Sequence, residues 1–290
     1  MRRLLAADLV RFGRRRDLWL LMVLVPLVTG LLFLNEFDRT VQGIHSILSS
    51  VQFSGTPDPD VVAQLQDQVR QESLAELPAF AFPASLVRIA TTPIGVILLA
   101  LYLSIALVAG EFDWGTVRTV HLTASRAAVL AVRVGLVVGL VGIALGVGLL
   151  FGTIAPFLMS IDGTPLQQFA VPVPDLAAAL GLRLLVILPF ISIPILVSVV
   201  SRSTGIGFLL TVLVLVADLA ITGTPIWEGS SFPWFPATTI SGSISRLLSG
   251  DSSYLAGVAP AWLSVSALVA WSVLPVLLAV ALFRRLDLNE

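Results

Sequence analysis

The side chains that could carry covalent or acid–base chemistry are few. Two histidines, His45 and His121, stand far apart, and there is no cysteine. All 17 basic residues are arginine, so the chain has no lysine. That excludes a phosphate-binding loop of the GxxxxGK[ST] kind, whose lysine sits on the β/γ-phosphates, and it excludes a Schiff base. Without cysteine there is no thiolate nucleophile, no disulfide frame and no haem-attachment motif. Two close acidic pairs, Glu36 with Asp38 and Asp58 with Asp60, lack histidine partners and read as solvated loops. No metal site and no catalytic residue is expected, so the chain is not read as an enzyme.

One segment does concentrate mixed charge. It runs Gly110-Glu111-Phe112-Asp113-Trp114-Gly115-Thr116-Val117-Arg118-Thr119 and continues to Ser125-Arg126 and Arg133. Long apolar stretches flank it. A loop that only joins two apolar helices needs a few polar residues. This one alternates acids and bases, carries a tryptophan and keeps a helix-like rhythm, so it reads as a surface made to be touched. Glu111 and Asp113 suit the positive end of a helix dipole. Trp114 offers a large anchor and Arg118 a charged partner.

The elements that must position these residues follow from composition. Hydrophobic residues make up 57% of the chain and charged residues 12%, with a mean hydropathy of +0.97. Soluble domains carry about 25% charge. Apolar windows of about 18 residues or more are long enough to cross a bilayer, and six segments qualify or nearly do: 18–35, 89–110, 130–158, 176–201, 203–222 and 261–283. Backbone groups in lipid must bond within their own segment, so these spans are helices. The expected fold class is an all-α polytopic membrane protein with six transmembrane helices in a single transmembrane domain.

Arginine bias near the span ends gives the orientation. With the N-terminus inside, twelve arginines fall on the cytoplasmic side (2, 3, 11, 14, 15, 16, 118, 126, 133, 202, 284 and 285) and four outside (39, 70, 88 and 246). Both termini are therefore expected in the cytoplasm, and the outer loops are acidic. Residues 2–16, with Leu4, Leu5, Leu9 and Phe12 at helical spacing among arginines, read as an interfacial helix. Residues 36–88 form an outer segment with a polar, helix-prone stretch from Asp58 to Leu77, to which no binding role is given. In the third span Gly135, Gly139, Gly142 and Gly146 recur on one face, which lets another helix approach closely. Packing within the chain is preferred there to a contact between subunits. Arg183 and Asp218 lie at similar depth in consecutive antiparallel spans, and intramembrane charges usually pair or face a cavity. They therefore read as an Arg183–Asp218 pair or as two groups facing a polar cavity, the alternative being that Arg183 snorkels to the outer headgroups. Trp227, Phe232, Trp234 and Phe235 read as interfacial anchors or an outer gate.

Taken in order along the chain, these pieces resemble a permease subunit of the ABC-2 type, the membrane half of ATP-binding-cassette exporters (a type V-like fold). The resemblance rests on the amphipathic start from Leu4 to Trp19, the Gly110-Glu111-Phe112 and Gly115-Thr116-Val117-Arg118-Thr119 block, and Ser201-Arg202-Ser203-Thr204. It rests also on Phe235-Pro236 and the closing Phe283-Arg284-Arg285-Leu286-Asp287. Ala124 stands where many relatives have proline, and Arg133 where many have lysine. The resemblance implies that 111–126 is a cytoplasmic coupling helix docking on a separate ATP-binding subunit, through Glu111, Phe112, Asp113, Trp114, Gly115, Thr116, Arg118 and Thr119. It implies that 223–260 forms outer re-entrant helices. It further implies a second permease chain, as a homodimer or heterodimer, with ATP and Mg bound by the partner ATPase and no cofactor in this chain. The implied function is export of a hydrophobic or amphipathic compound across the inner (plasma) membrane, with no nucleic-acid partner; the alternative is a secondary transporter or channel without an ATPase. Heavy arginine use without lysine points to a GC-rich, bacterial source.

Overall fold

In a computed structural model the residues described are 10, 16–53, 77–91, 94–113, 125–161, 164–227, 230–248 and 254–285. The helices are α1 (Arg16–Phe53), α2 (Ala84–Thr91), α3 (Ile94–Val108), α4 (Gly110–Asp113), α5 (Arg126–Leu158), α6 (Leu176–Ile187), α7 (Pro189–Ser201), α8 (Thr204–Gly223), α9 (Ile240–Leu248) and α10 (Ala261–Arg285). A short antiparallel pair, β1 (Ser160–Ile161) with β2 (Thr164–Pro165), follows α5. Among the described residues, five helical stretches are long and apolar enough to cross a membrane: Trp19–Gly43, Ala127–Leu158, Leu176–Ser201, Thr204–Gly223 and Ala261–Arg285. The chain is a multi-pass, predominantly helical membrane protein.

The described residues cover one expected span in part and correct another. Over 89–110 they lie in α2, α3 and α4, with residues 92–93 outside those described, and the apolar helix described there is Val96–Val108. The first span does not stop at residue 35. α1 runs for 38 residues, about 57 Å at 1.5 Å per residue, nearly twice the thickness of a hydrocarbon core. Polar residues at Glu36 and Asp38 end the apolar pattern, but nothing there ends the helix. No proline occurs between Glu36 and Phe53, and Gln42 Nε2 donates to Asp38 Oδ2 one turn back at 2.6 Å. Most of the interfacial helix expected over 2–16 and most of the polar stretch from Asp58 to Leu77 lie outside the described residues.

The chain forms two compact units. One comprises Val23–Gly95 and Ala144–Leu180. Its core gathers Phe33, Leu77, Phe80, Ala81, Ile89, Ala155 and Leu166. Phe80 takes edge-on contacts from Phe33 and Phe37, both at 5.5 Å between centroids, a favoured aromatic geometry. Arg88 lies 4.0 Å above the Phe80 ring and pairs with Glu36 at 2.6 Å, so the extension of α1 is tied to α2. Gln167 closes the unit by donating to Phe82 O and accepting from Phe82 N.

A second tie in this unit has a simple cause. Pro156 lies inside α5 and has no N–H, so the carbonyl four residues back, at Gly152, has no helical donor. Ser85 Oγ donates to that carbonyl at 2.7 Å, and Ser85 is fully buried. The absence of a side chain at Gly152 is what lets α2 come so near: a Cβ there would lie 2.7 Å from Ile89 Cδ1.

The other unit comprises Met1–Met22, Val96–Ile143 and Gly181–Glu290. α7 packs along α10, and α9 packs against α10 and α8. Val186, Ile193, Ile240 and Leu268 form one core, and Ala237, Leu255 and Ala259 another. The span expected over 176–201 is one apolar helical stretch, Leu176–Ser201. Only its hydrogen-bond ladder is interrupted near Leu188, which keeps helical angles, because Pro189 has no N–H to donate. α7 ends with Arg202 in the left-handed region, at φ 53°, where its N–H donates to Ser198 O.

Candidate functional site

The most elaborately built place in the chain is the break between α8 and α10. Residues Phe235–Thr238 form a 3-10 turn, and Thr239 then leads into α9. Irregular backbone in or near a membrane must find hydrogen bonds that lipid cannot supply. Here three consecutive carbonyls are met by named donors. Pro236 O accepts from Thr239 Oγ1 at 2.8 Å. Ala237 O accepts from Ser243 Oγ at 2.7 Å and Ser264 Oγ at 3.1 Å. Thr238 O accepts from Trp271 Nε1 at 3.0 Å.

The start of α9 is satisfied in the same way. A helix leaves its first N–H groups without internal partners. Ile240 N and Ser241 N both donate to the carboxylate of Asp218, one to each oxygen, at 2.8 Å. Ser241 Oγ adds a 2.5 Å bond to Asp218 Oδ2. Gly242 N donates to Thr239 Oγ1 at 3.1 Å, the ordinary N-cap bond. Thr239 Oγ1 also shares a 2.7 Å hydrogen bond with Thr222 Oγ1 of α8. A carboxylate facing the positive end of a helix dipole is well placed electrostatically. Asp218 is 8% exposed, and it fastens α9 to α8.

Close packing sets the remaining term. A Cβ at Gly242 would lie 1.9 Å from Pro236 O and 2.7 Å from Pro236 C. Only glycine lets the first turn of α9 fold back on the 3-10 turn. On the far side, Pro275 in α10 deprives Trp271 O of its helical donor. Ser192 Oγ of α7 donates to that carbonyl at 2.6 Å. One continuous polar path thus joins α7, α10, the Thr238 turn, α9 and α8.

The expected Arg183–Asp218 pair does not form. Among the described residues no ion pair joins them; both oxygens of Asp218 accept from α9 instead, whose first N–H groups need an acceptor. The glycine stripe also differs from expectation. A Cβ at Gly135, Gly139, Gly142 or Gly146 would meet nothing within 4 Å, and Gly135, Gly139 and Gly142 are exposed. Among the described residues no other helix approaches that face so closely.

The aromatic residues gather in pairs near the end of α8. Trp227 and Phe235 stack with centroids 4.7 Å apart, and Phe232 meets Trp234 edge-on at 6.0 Å. Trp227 Nε1 donates to Ile221 O at 2.8 Å. Phe232, Trp234 and Phe235 are exposed. Of the coupling segment, Glu111, Phe112 and Asp113 lie in α4, and the Phe112 ring meets buried Phe283 of α10 at 6.0 Å. Trp114, Gly115, Thr116, Arg118 and Thr119 lie outside the described residues.

Sequence reasoning missed Ser85, Ser192, Thr239, Gly242, Ser243 and Ser264. The prolines at 156 and 275 announce freed carbonyls, but nothing in one dimension says which hydroxyl reaches them.

A predominantly helical chain with several apolar spans and a hydrogen-bonded, irregular segment between the last two is a polytopic membrane domain. A protein-family model described as ABC-2 family transporter protein matches residues 4–288, and the chain belongs to that family. Neither the comparison with curated proteins nor that with solved structures found a match.

Proposed function

We propose that this chain is the non-catalytic permease subunit of an ATP-driven exporter that moves a hydrophobic or amphipathic compound. It works in the inner (plasma) membrane of a bacterium with both termini in the cytoplasm. A separate ATP-binding subunit, holding ATP and Mg, docks on the segment Glu111–Thr119, and a second permease chain completes the pathway. The family match along nearly the whole chain is the observation that carries this reading. The absence of lysine adds that the chain has no phosphate-binding loop of its own. The secondary-transporter alternative needs an intramembrane carboxylate free to exchange a coupling ion. Both oxygens of Asp218 are engaged by α9, which counts against it.

The test is co-purification with a candidate ATP-binding subunit from the same organism. Wild-type chain is expected to retain that subunit and to support ATP-dependent export from loaded cells. The double variant Trp114→Ala with Arg118→Glu is expected to lose both while remaining in the membrane at normal level. Full retention of subunit and export in that variant would remove the coupling assignment.

A further inference from the structure

A groove of about 640 Å³ runs along α10 beneath the Thr238 turn, with Leu196 of α7 on its other wall. That volume lies within the range of small-molecule sites. Its origin is legible in α10: Leu263, Ala267, Ala270, Leu274 and Leu278 recur on one helical face, and the two alanines hollow its middle. Leu263 and Leu278 are about 22 Å apart along the axis, so the groove suits an extended chain rather than a compact ring system.

Its polar atoms lie toward one end, and their hydrogens are already committed. Thr238 Oγ1 donates to Phe235 O at 2.7 Å, Ser266 Oγ donates to Leu263 O at 2.8 Å, and Trp271 Nε1 donates to Thr238 O at 3.0 Å. A hydroxyl and an indole each have one proton to give. What remains for a ligand is the lone pairs of the Thr238 and Ser266 hydroxyls. Among the described residues no charged side chain lines the groove. An anionic end group would find no donor there, and leaving a charge unpaired in an apolar setting is costly.

We propose that this groove binds a single-chain amphiphile whose polar end is a neutral hydrogen-bond donor, such as a long-chain alcohol, and rejects the same chain ending in an anion. Resting on the export reading above, this is the class of compound the permease carries, with its hydroxyl held at the Thr238 end.

The test uses the full-length chain, without any ATPase, in phosphatidylcholine nanodiscs. Two probes with the same diazirine-bearing hexadecyl chain are compared, one ending in a hydroxyl and one in a sulfonate. Labelled peptides are located by mass spectrometry. One hydrogen bond gained against one desolvated charge predicts about tenfold more labelling of α10 and the Thr238 turn by the alcohol. Ala270→Trp, which fills the hollow, is expected to abolish that labelling. Thr238→Val with Ser266→Ala keeps the apolar walls and is expected to erase the preference for the alcohol. Equal labelling by both probes, or labelling by the alcohol that survives Ala270→Trp in a chain with unchanged gel-filtration behaviour, overturns the proposal. If Ala270→Trp does not fold, the double hydroxyl variant decides alone: an unchanged preference overturns the proposal. Because no ATPase is present, these outcomes are independent of whether the coupling segment binds one.

Discussion

Ser192 is expected to matter because of a proline on another helix. In α10, Pro275 cannot donate to Trp271 O, and the Ser192 hydroxyl at 2.6 Å takes its place. Removing that hydroxyl leaves a carbonyl with no donor at a position where Ser192 itself is 2% exposed. A buried group left without its partner costs about 1–3 kcal/mol in water-soluble proteins. In membranes the unfolded helices are still helical, so the same carbonyl is orphaned before and after folding. Measured interhelical values there average about 0.6 kcal/mol and reach about 1.7. Ser192→Ala should therefore cost about 1–1.5 kcal/mol, near the top of the membrane range, because the bond is short and enclosed.

The mechanism makes a sharper claim than the magnitude. In a Pro275→Ala background the new N–H of residue 275 can restore the helical bond to Trp271 O. The cost of Ser192→Ala should then fall below about 0.5 kcal/mol. Equilibrium unfolding in mixed SDS and detergent micelles, followed by far-UV circular dichroism, gives all four corners of that cycle. Equal costs of Ser192→Ala in the two backgrounds would refute the reasoning, since the hydroxyl would then not be answering the proline. Ser85 with Pro156 is an independent copy of the same arrangement in the other unit, through Gly152 O. Its cycle should have the same sign.

Four further outcomes are expected. Gly242→Ala places a methyl 1.9 Å from a backbone oxygen and should cost about 3 kcal/mol or more, read as lost thermal stability and new proteolysis near residue 240. Gly152→Ala meets only the tip of Ile89 at 2.7 Å and should cost about 1 kcal/mol; comparable losses at the two sites would contradict the packing argument. Asp218→Asn turns an amide hydrogen-bond donor toward backbone donors and should cost about 1–3 kcal/mol. Its effect should add to that of Arg183→Gln within about 0.5 kcal/mol, whereas strong coupling would restore the direct ion pair. Gly139→Ala, with nothing within 4 Å, should change the stability of the isolated chain by less than about 0.5 kcal/mol. A loss of more than about 1 kcal/mol would reveal a contact on that face.

Apolar runs made the long spans legible. The windows at 130–158, 203–222 and 261–283 end within a few residues of α5, α8 and α10, because hydropathy and helix length report the same constraint in lipid. At residue 36 that link fails: polarity ends an apolar pattern, but only a breaker or a lost hydrogen bond ends a helix. The depth arithmetic that paired Arg183 with Asp218 failed for a different reason. It compared two neighbouring spans, while the groups that satisfy Asp218 belong to α9, 22 residues further along the chain. The glycine stripe was legible as a smooth face, but its partner was not. Smoothness permits close approach without choosing the surface that approaches.

The candidate site shows how a chain with 12% charged residues holds irregular backbone without burying many charges. Serine, threonine and tryptophan each satisfy one orphaned group and remain neutral, so they avoid the desolvation cost of an ion in an apolar setting. Asp218 is the exception, and its surroundings explain why it is tolerated. Three donors and the positive end of α9 meet one carboxylate. The carboxylate offers a separate oxygen to each of the N–H groups of Ile240 and Ser241, whereas a neutral side chain would have to share a single acceptor atom between them. The charge is therefore needed for geometry as much as for electrostatics. That makes Asp218 the residue on which attachment of α9 to α8 depends most, whichever compound passes beside it.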